Sequence, residues 1–90
     1  GKPKYIAPEQ FQGKALKASD IYSLGASMHY LLCGSDPTPI QSSHPKELNP
    51  EIDAELDAIV AKATAVKAEE RYASASELKD AISKYASKKN

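Results

Sequence analysis

Residues 19–33 (Ser-Asp-Ile-Tyr-Ser-Leu-Gly-Ala-Ser-Met-His-Tyr-Leu-Leu-Cys) read as a helix that is apolar around most of its circumference. At about 100° per residue, Ile21, Leu24, Gly25, Met28, Leu31 and Leu32 share one face. Tyr22, Ala26, Tyr30 and Cys33 form a second, and only Asp20, Ser23 and Ser27 make a narrow polar strip. A helix of this kind has to be covered on most sides. The cover available is small, because the chain has 90 residues, enough for one modest core. Of its 41% apolar residues 14 are alanine, while Leu, Ile, Val and Phe together number only 16. Two partner helices can hardly wrap such a rod, so the chain reads as a thinly stabilised unit that leans on something else.

Proline divides the rest. All six prolines fall in the first fifty residues, which leaves the second half free to be helical. Gly34 should end the first helix and Ser19 should cap its start, with Asp20 in the first turn. Residues 34–52 hold four prolines and little periodicity, and read as a long surface-wrapping loop. A second helix should begin at Asp53 as N-cap, with Leu56, Ile59, Val60, Ala63 and Val66 on its buried stripe. Ser74-Ala-Ser-Glu77 is a capping-box pattern for a third helix that buries Leu78, Ile82 and Tyr85. No segment alternates like a strand, so the expected fold class is all-α: three main helices, with a long Pro-rich loop after the first.

Several functions are disfavoured on composition. Lys plus Arg is 12 and Asp plus Glu is 12, and the few terminal lysines are no nucleic-acid footprint. No apolar run is long enough to span a membrane and no secretory signal is visible, so a cytoplasmic location is expected. Cys33 has no second cysteine to pair with, and together with His29 and His44, far apart in sequence, it suggests no metal site. Both histidines are expected at partly exposed positions, Cys33 as a packing residue, and Glu69-Glu70 as a solvated turn.

The order of features resembles one family. Gly1-Lys2-Pro3-Lys4-Tyr5-Ile6-Ala7-Pro8-Glu9 is similar to the G-T-P-x-Y-x-A-P-E run that ends the activation segment of eukaryotic-like, bacterial-type Ser/Thr protein kinases. Ser19-Asp20-Ile21-Tyr22-Ser23-Leu24-Gly25 resembles the start of their F helix, and Leu31-Leu32-Cys33-Gly34 its end. Glu70-Arg71-Tyr72 followed by Ser74-Ala75-Ser76-Glu77-Leu78 resembles the stretch before the last helix of the catalytic domain. The resemblance covers residues 1–86 and implies that residues 1–90 are a partial kinase domain: the end of the activation segment, the F helix, and H-like and I-like helices.

It also implies roles. Glu9 and Arg71 would form the ion pair that ties the activation-segment end to the helical base, bidentate if the geometry allows. Asp20 would be the inherited anchor of a catalytic loop. Lys2, standing where the family has Thr, would with Tyr5, Ile6 and Pro8 belong to the platform that receives a protein substrate. The sequence has no Gly-rich loop, V-A-I-K lysine, H-R-D-x-x-x-x-N loop or D-F-G. Those segments supply the groups that phosphoryl transfer needs. No catalytic, cofactor-binding or metal-binding residue is therefore expected in this chain, and ATP and Mg²⁺ would belong to a full-length parent. The expected partner over the Ser19–Cys33 helix is the remainder of a kinase domain. The alternative is a stand-alone, non-catalytic interaction module whose helix is covered by a second copy or another partner.

Overall fold

The computed structural model describes residues 5–13, 16–38 and 40–88, and among them all regular structure is helical. Three α-helices, α1 (Lys17–Cys33), α2 (Ala54–Ala63) and α3 (Ala75–Lys88), follow a 3-10 segment at Pro8–Gln12 and are joined through short 3-10 turns at Pro45–Glu47 and Ala68–Glu70. α2 lies between the other two, and Ile21, Ile59, Ala63 and Leu78 bring all three together, with Met28, Ile82 and Tyr85 packed around them. Gly1–Lys4, and Lys2 with them, fall outside the described residues.

α1 starts two residues earlier than its sequence suggests. Ser19 is not the N-cap; it lies inside the first turn, and its hydroxyl accepts a hydrogen bond from the Leu16 N–H at 3.1 Å. A hydroxyl at that position satisfies an orphan donor of the helix start while its own backbone stays helical. The far end is as read: Gly34 takes φ +73°, a left-handed conformation that suits glycine, and its N–H bonds the Tyr30 carbonyl.

The α1–α2 contact depends on Gly25. A Cβ built there would lie 2.7 Å from Thr64 Cγ2 and 2.8 Å from Ala63 Cβ, so the two helices approach to a distance only glycine permits. Gly25→Ala is expected to destabilise the protein by about 1–3 kcal/mol through overpacking. Urea midpoints of the two proteins check this, and an unchanged midpoint would show that α2 gives way freely.

Asp53 stands at the N-cap of α2 but makes no side-chain cap there. Its carboxylate instead accepts from the Tyr85 hydroxyl at 2.7 Å, joining the start of α2 to α3. α2 ends at Ala63, before Val66, which is 47% exposed rather than on a buried stripe. Thr64 occupies the C-cap and its hydroxyl donates to the Val60 carbonyl at 2.8 Å. At α3 the Glu77 N–H bonds Ser74 Oγ, but the Glu77 carboxylate reaches one residue further back, to the Ala73 N–H.

The proline-rich segment after α1 wraps the helices as a strap. Pro37, Ser43, Pro45 and Ile52 are buried. The Ser42 hydroxyl donates to the Ala61 carbonyl at 2.7 Å, and the Ser43 N–H donates to Thr64 Oγ1, also at 2.7 Å. Two helices and this strap still leave α1 partly bare. Leu31 is 81% exposed, with Leu24 and Tyr30 both near half.

Candidate functional site

The segment before α1 is pinned to it from residue 5 onward. Ala7 is fully buried against Tyr22 and Ala26, with Tyr5 packed alongside. The Ser23 hydroxyl donates to the Tyr5 carbonyl at 2.8 Å, and the Tyr5 hydroxyl donates to Asp36 of the strap. Pro8 fixes the dihedral for a tight 3-10 turn, closed by Gly13 at φ +81°. That turn aims Glu9 at the start of α1.

Arg71 meets it there. Nη1 and Nη2 of Arg71 each donate to one carboxylate oxygen of Glu9, both at 2.8 Å, a fork-to-fork pair across 62 positions of sequence. The remaining donors are also taken. Nε donates to the Ala65 carbonyl at 2.8 Å, Nη1 to the Ala18 carbonyl at 2.9 Å, and Nη2 to the Val66 carbonyl at 3.3 Å. All five guanidinium donors thus have acceptors, which is the condition for burying a charge without a large penalty. The Arg71 side chain is fully buried and that of Glu9 is 11% exposed. Beneath the guanidinium lies the Tyr22 ring, 5.1 Å from its centroid. The Ser19 hydroxyl donates to Glu9 at 2.6 Å. The Arg71 hydrogen bonds hold the Glu9 carboxyl down at about 2, against an opposing push from burial and with help from Ser19.

Ser19 and Tyr22 lie in the run that resembles the F-helix start, but nothing in the sequence ties them to the ion pair. Tyr22 carries Arg71 on its face and donates its hydroxyl to the Gln41 carbonyl at 3.1 Å, so one side chain joins the ion pair to the strap. A tyrosine in an otherwise apolar helix has to find such a partner. Asp20 is exposed, in the first turn of α1 where the helix dipole favours a carboxylate. Tyr5, Ile6 and Pro8 are half-buried along the same segment. Glu69 and Glu70 are exposed in a 3-10 turn, and His44 is exposed beside Asp57. His29 is not partly exposed as its sequence setting suggests; it is 5% exposed, because the strap crosses over it.

The arrangement can brace one segment against a helical base. Among the described residues no group of three His, Cys, Asp or Glu side chains is placed to hold a metal ion. No helix of the described residues is long and apolar enough to cross a membrane.

Comparison with known proteins places this geometry. No family model matches the chain. The tyrosine-protein kinase MasK of Myxococcus xanthus is 35% identical over 101 residues, covering 97% of this chain and 16% of that protein. The serine/threonine-protein kinase PknB of Mycobacterium tuberculosis is 33% identical over 93 residues, covering 88% of this chain and 15% of that protein. Among solved structures, the PknI kinase domain of Mycobacterium tuberculosis superposes with a TM-score of 0.78 at 28% identity, over 93% of this chain and 35% of that domain. Sequence and all-helical fold together show a C-lobe portion of a bacterial-type Ser/Thr protein kinase domain. The chain spans about a sixth of the curated relatives it matches and about a third of the solved domains.

Proposed function

We propose that this chain is the structural and substrate-platform part of a protein kinase C-lobe, and that it does not catalyse phosphoryl transfer in isolation. Residues 1–90 make up this partial domain, α1 being its F helix and α2 and α3 its H-like and I-like helices. The observation that carries the reading is the buried fork between Arg71 and Glu9, which locks residues 5–12 onto the helical base. In this reading Ala7-Pro8-Glu9 closes an activation segment, and Tyr5, Ile6 and Pro8, with Lys2 preceding them, face a protein substrate whose hydroxyl accepts phosphate. Asp20 keeps a carboxylate at the α1 start to anchor a catalytic loop supplied by another part of the kinase. ATP and Mg²⁺ are bound by that other part.

The uncovered side of α1 supports the same reading. Leu24 and Met28 of α1, with Leu78 and Ile82 of α3, line an apolar groove of about 260 Å³. The remaining two thirds of a kinase domain would supply its cover. The other reading, a stand-alone module capped by a second copy, uses the same face, and sedimentation of the isolated chain as a dimer would favour it. The purified 90-residue chain is expected to show no Mg²⁺-dependent ATP turnover and no transfer to protein. Turnover that co-elutes with the chain as a single gel-filtration peak would contradict this.

A further inference from the structure

Between α1 and the strap lies a polar cavity of about 160 Å³, away from the Arg71 site, lined by His29, Asp36, Gln41, Ser43, His44 and Glu47 among others. Two buried atoms of residues that line it, His29 Nδ1 and Ser43 Oγ, have no hydrogen-bond partner among the described residues. Unpaired polar atoms at such depth are costly and call for an explanation. The strap itself is held under tension. Ile40 takes φ +59°, a left-handed conformation that a β-branched side chain rarely adopts. Strain of that kind persists only where surrounding contacts impose it. Those contacts are the hydrogen bonds of Gln41 to Tyr22, Ser42 to Ala61 and Ser43 to Thr64.

We propose that the 40–48 strap is an acid-released clasp: a proton taken up by His29 inside this cavity frees the strap from α1 and α2. A proton from water adds to the unprotonated ring nitrogen, and no covalent bond breaks. The charged ring, 5% exposed, then needs hydration that the closed strap denies it. Burial already holds His29 below its ordinary value of 6.5, with Asp57 opposing. The open strap therefore binds the extra proton more readily. Closure is fully favoured above pH 6.5 and weakens as pH falls.

The neighbouring charges do not cancel this. Asp57 of α2 is engaged by the Lys46 N–H at 2.9 Å and by His44 Nδ1 at 3.1 Å. Asp36 and Glu47 lie exposed on the strap, and the Lys46 ammonium is bound to the Pro50 and Ile52 carbonyls. On α1 itself Cys33 bonds the His29 carbonyl, not its ring. Because Gln41 also holds Tyr22, on whose ring Arg71 rests, release of the strap removes a brace from the ion pair.

The test is nuclear magnetic resonance on the protein as its gene encodes it, following the His29 ring and the Ser43 amide from neutral to mildly acid pH. The ring should titrate below 6.5. Exchange of the Ser43 amide, corrected for its intrinsic chemistry, should rise by up to about tenfold per pH unit between 6.5 and that midpoint and level off below it. His44→Gln should keep the rise and His29→Leu should abolish it. A rise that survives His29→Leu or disappears in His44→Gln overturns the proposal, as does a wild-type amide that never responds. Should His29→Leu fail to fold, the ring midpoint decides alone: an amide rise that levels off at that midpoint supports the clasp, and one that levels off elsewhere refutes it.

Discussion

Replacing Arg71 by alanine is expected to cost about 3–5 kcal/mol, the range for removing one partner of a buried ion pair. The loss exceeds a single bond because the guanidinium serves two Glu9 oxygens and the carbonyls of Ala18, Ala65 and Val66 at once. Glu9 would be left as a largely buried carboxylate held by the Ser19 hydroxyl and its own backbone N–H, with no countercharge from Arg71. Domains of this size have roughly 5–15 kcal/mol of stability in total, so a thin core would largely unfold. Arg71→Lys is not a rescue, since an ammonium cannot reproduce the planar fork. Melting temperatures measure the effect, and an Arg71→Ala protein melting with wild type would show that the pair braces nothing.

The second large effect is acid sensitivity from the other partner. Glu9 is held at about 2 when folded, against an ordinary 4.5. As pH falls the unfolded carboxylate takes its proton first. The stabilisation is therefore complete above 4.5 and lost as pH drops toward about 2. Its size is on the order of 3 kcal/mol, since each pH interval of that depression is worth about 1.4 kcal/mol. Glu9→Gln should begin less stable and lose less over the same interval. Other carboxylates titrate in both proteins, so the difference between their urea midpoints isolates Glu9. Parallel curves would contradict the account. This window opens below 4.5, whereas closure over His29 begins to weaken already below 6.5.

What the sequence discloses and what it conceals divide on physical grounds. Helix periodicity and the proline boundary are local, and so Ile21, Ile59 and Leu78 were readable as core. Glu9 and Arg71 were readable as a candidate pair because both sit in recognisable runs. Their surroundings were not, because three of the acceptors of Arg71 are backbone carbonyls, which every residue carries and no residue type announces. Ser19 looked like a cap because its hydroxyl suits one; that the hydroxyl also faces Glu9 follows from the turn at Pro8–Gln12. Thr64 and His29 were concealed for a related reason. Their burial comes from a strap whose course is set by contacts 19 and 21 positions away in sequence, beyond any periodic signal.

The central claim is that the apolar side of α1 receives the rest of a kinase domain. Leu31, at 81% exposed, is the residue to ask. With Leu31→Cys placed in full-length protein whose Cys33 is changed to alanine, a maleimide reports how open that face is. The native protein is expected to label roughly a hundredfold more slowly than the urea-unfolded chain. Labelling at the unfolded rate in the native state would contradict it.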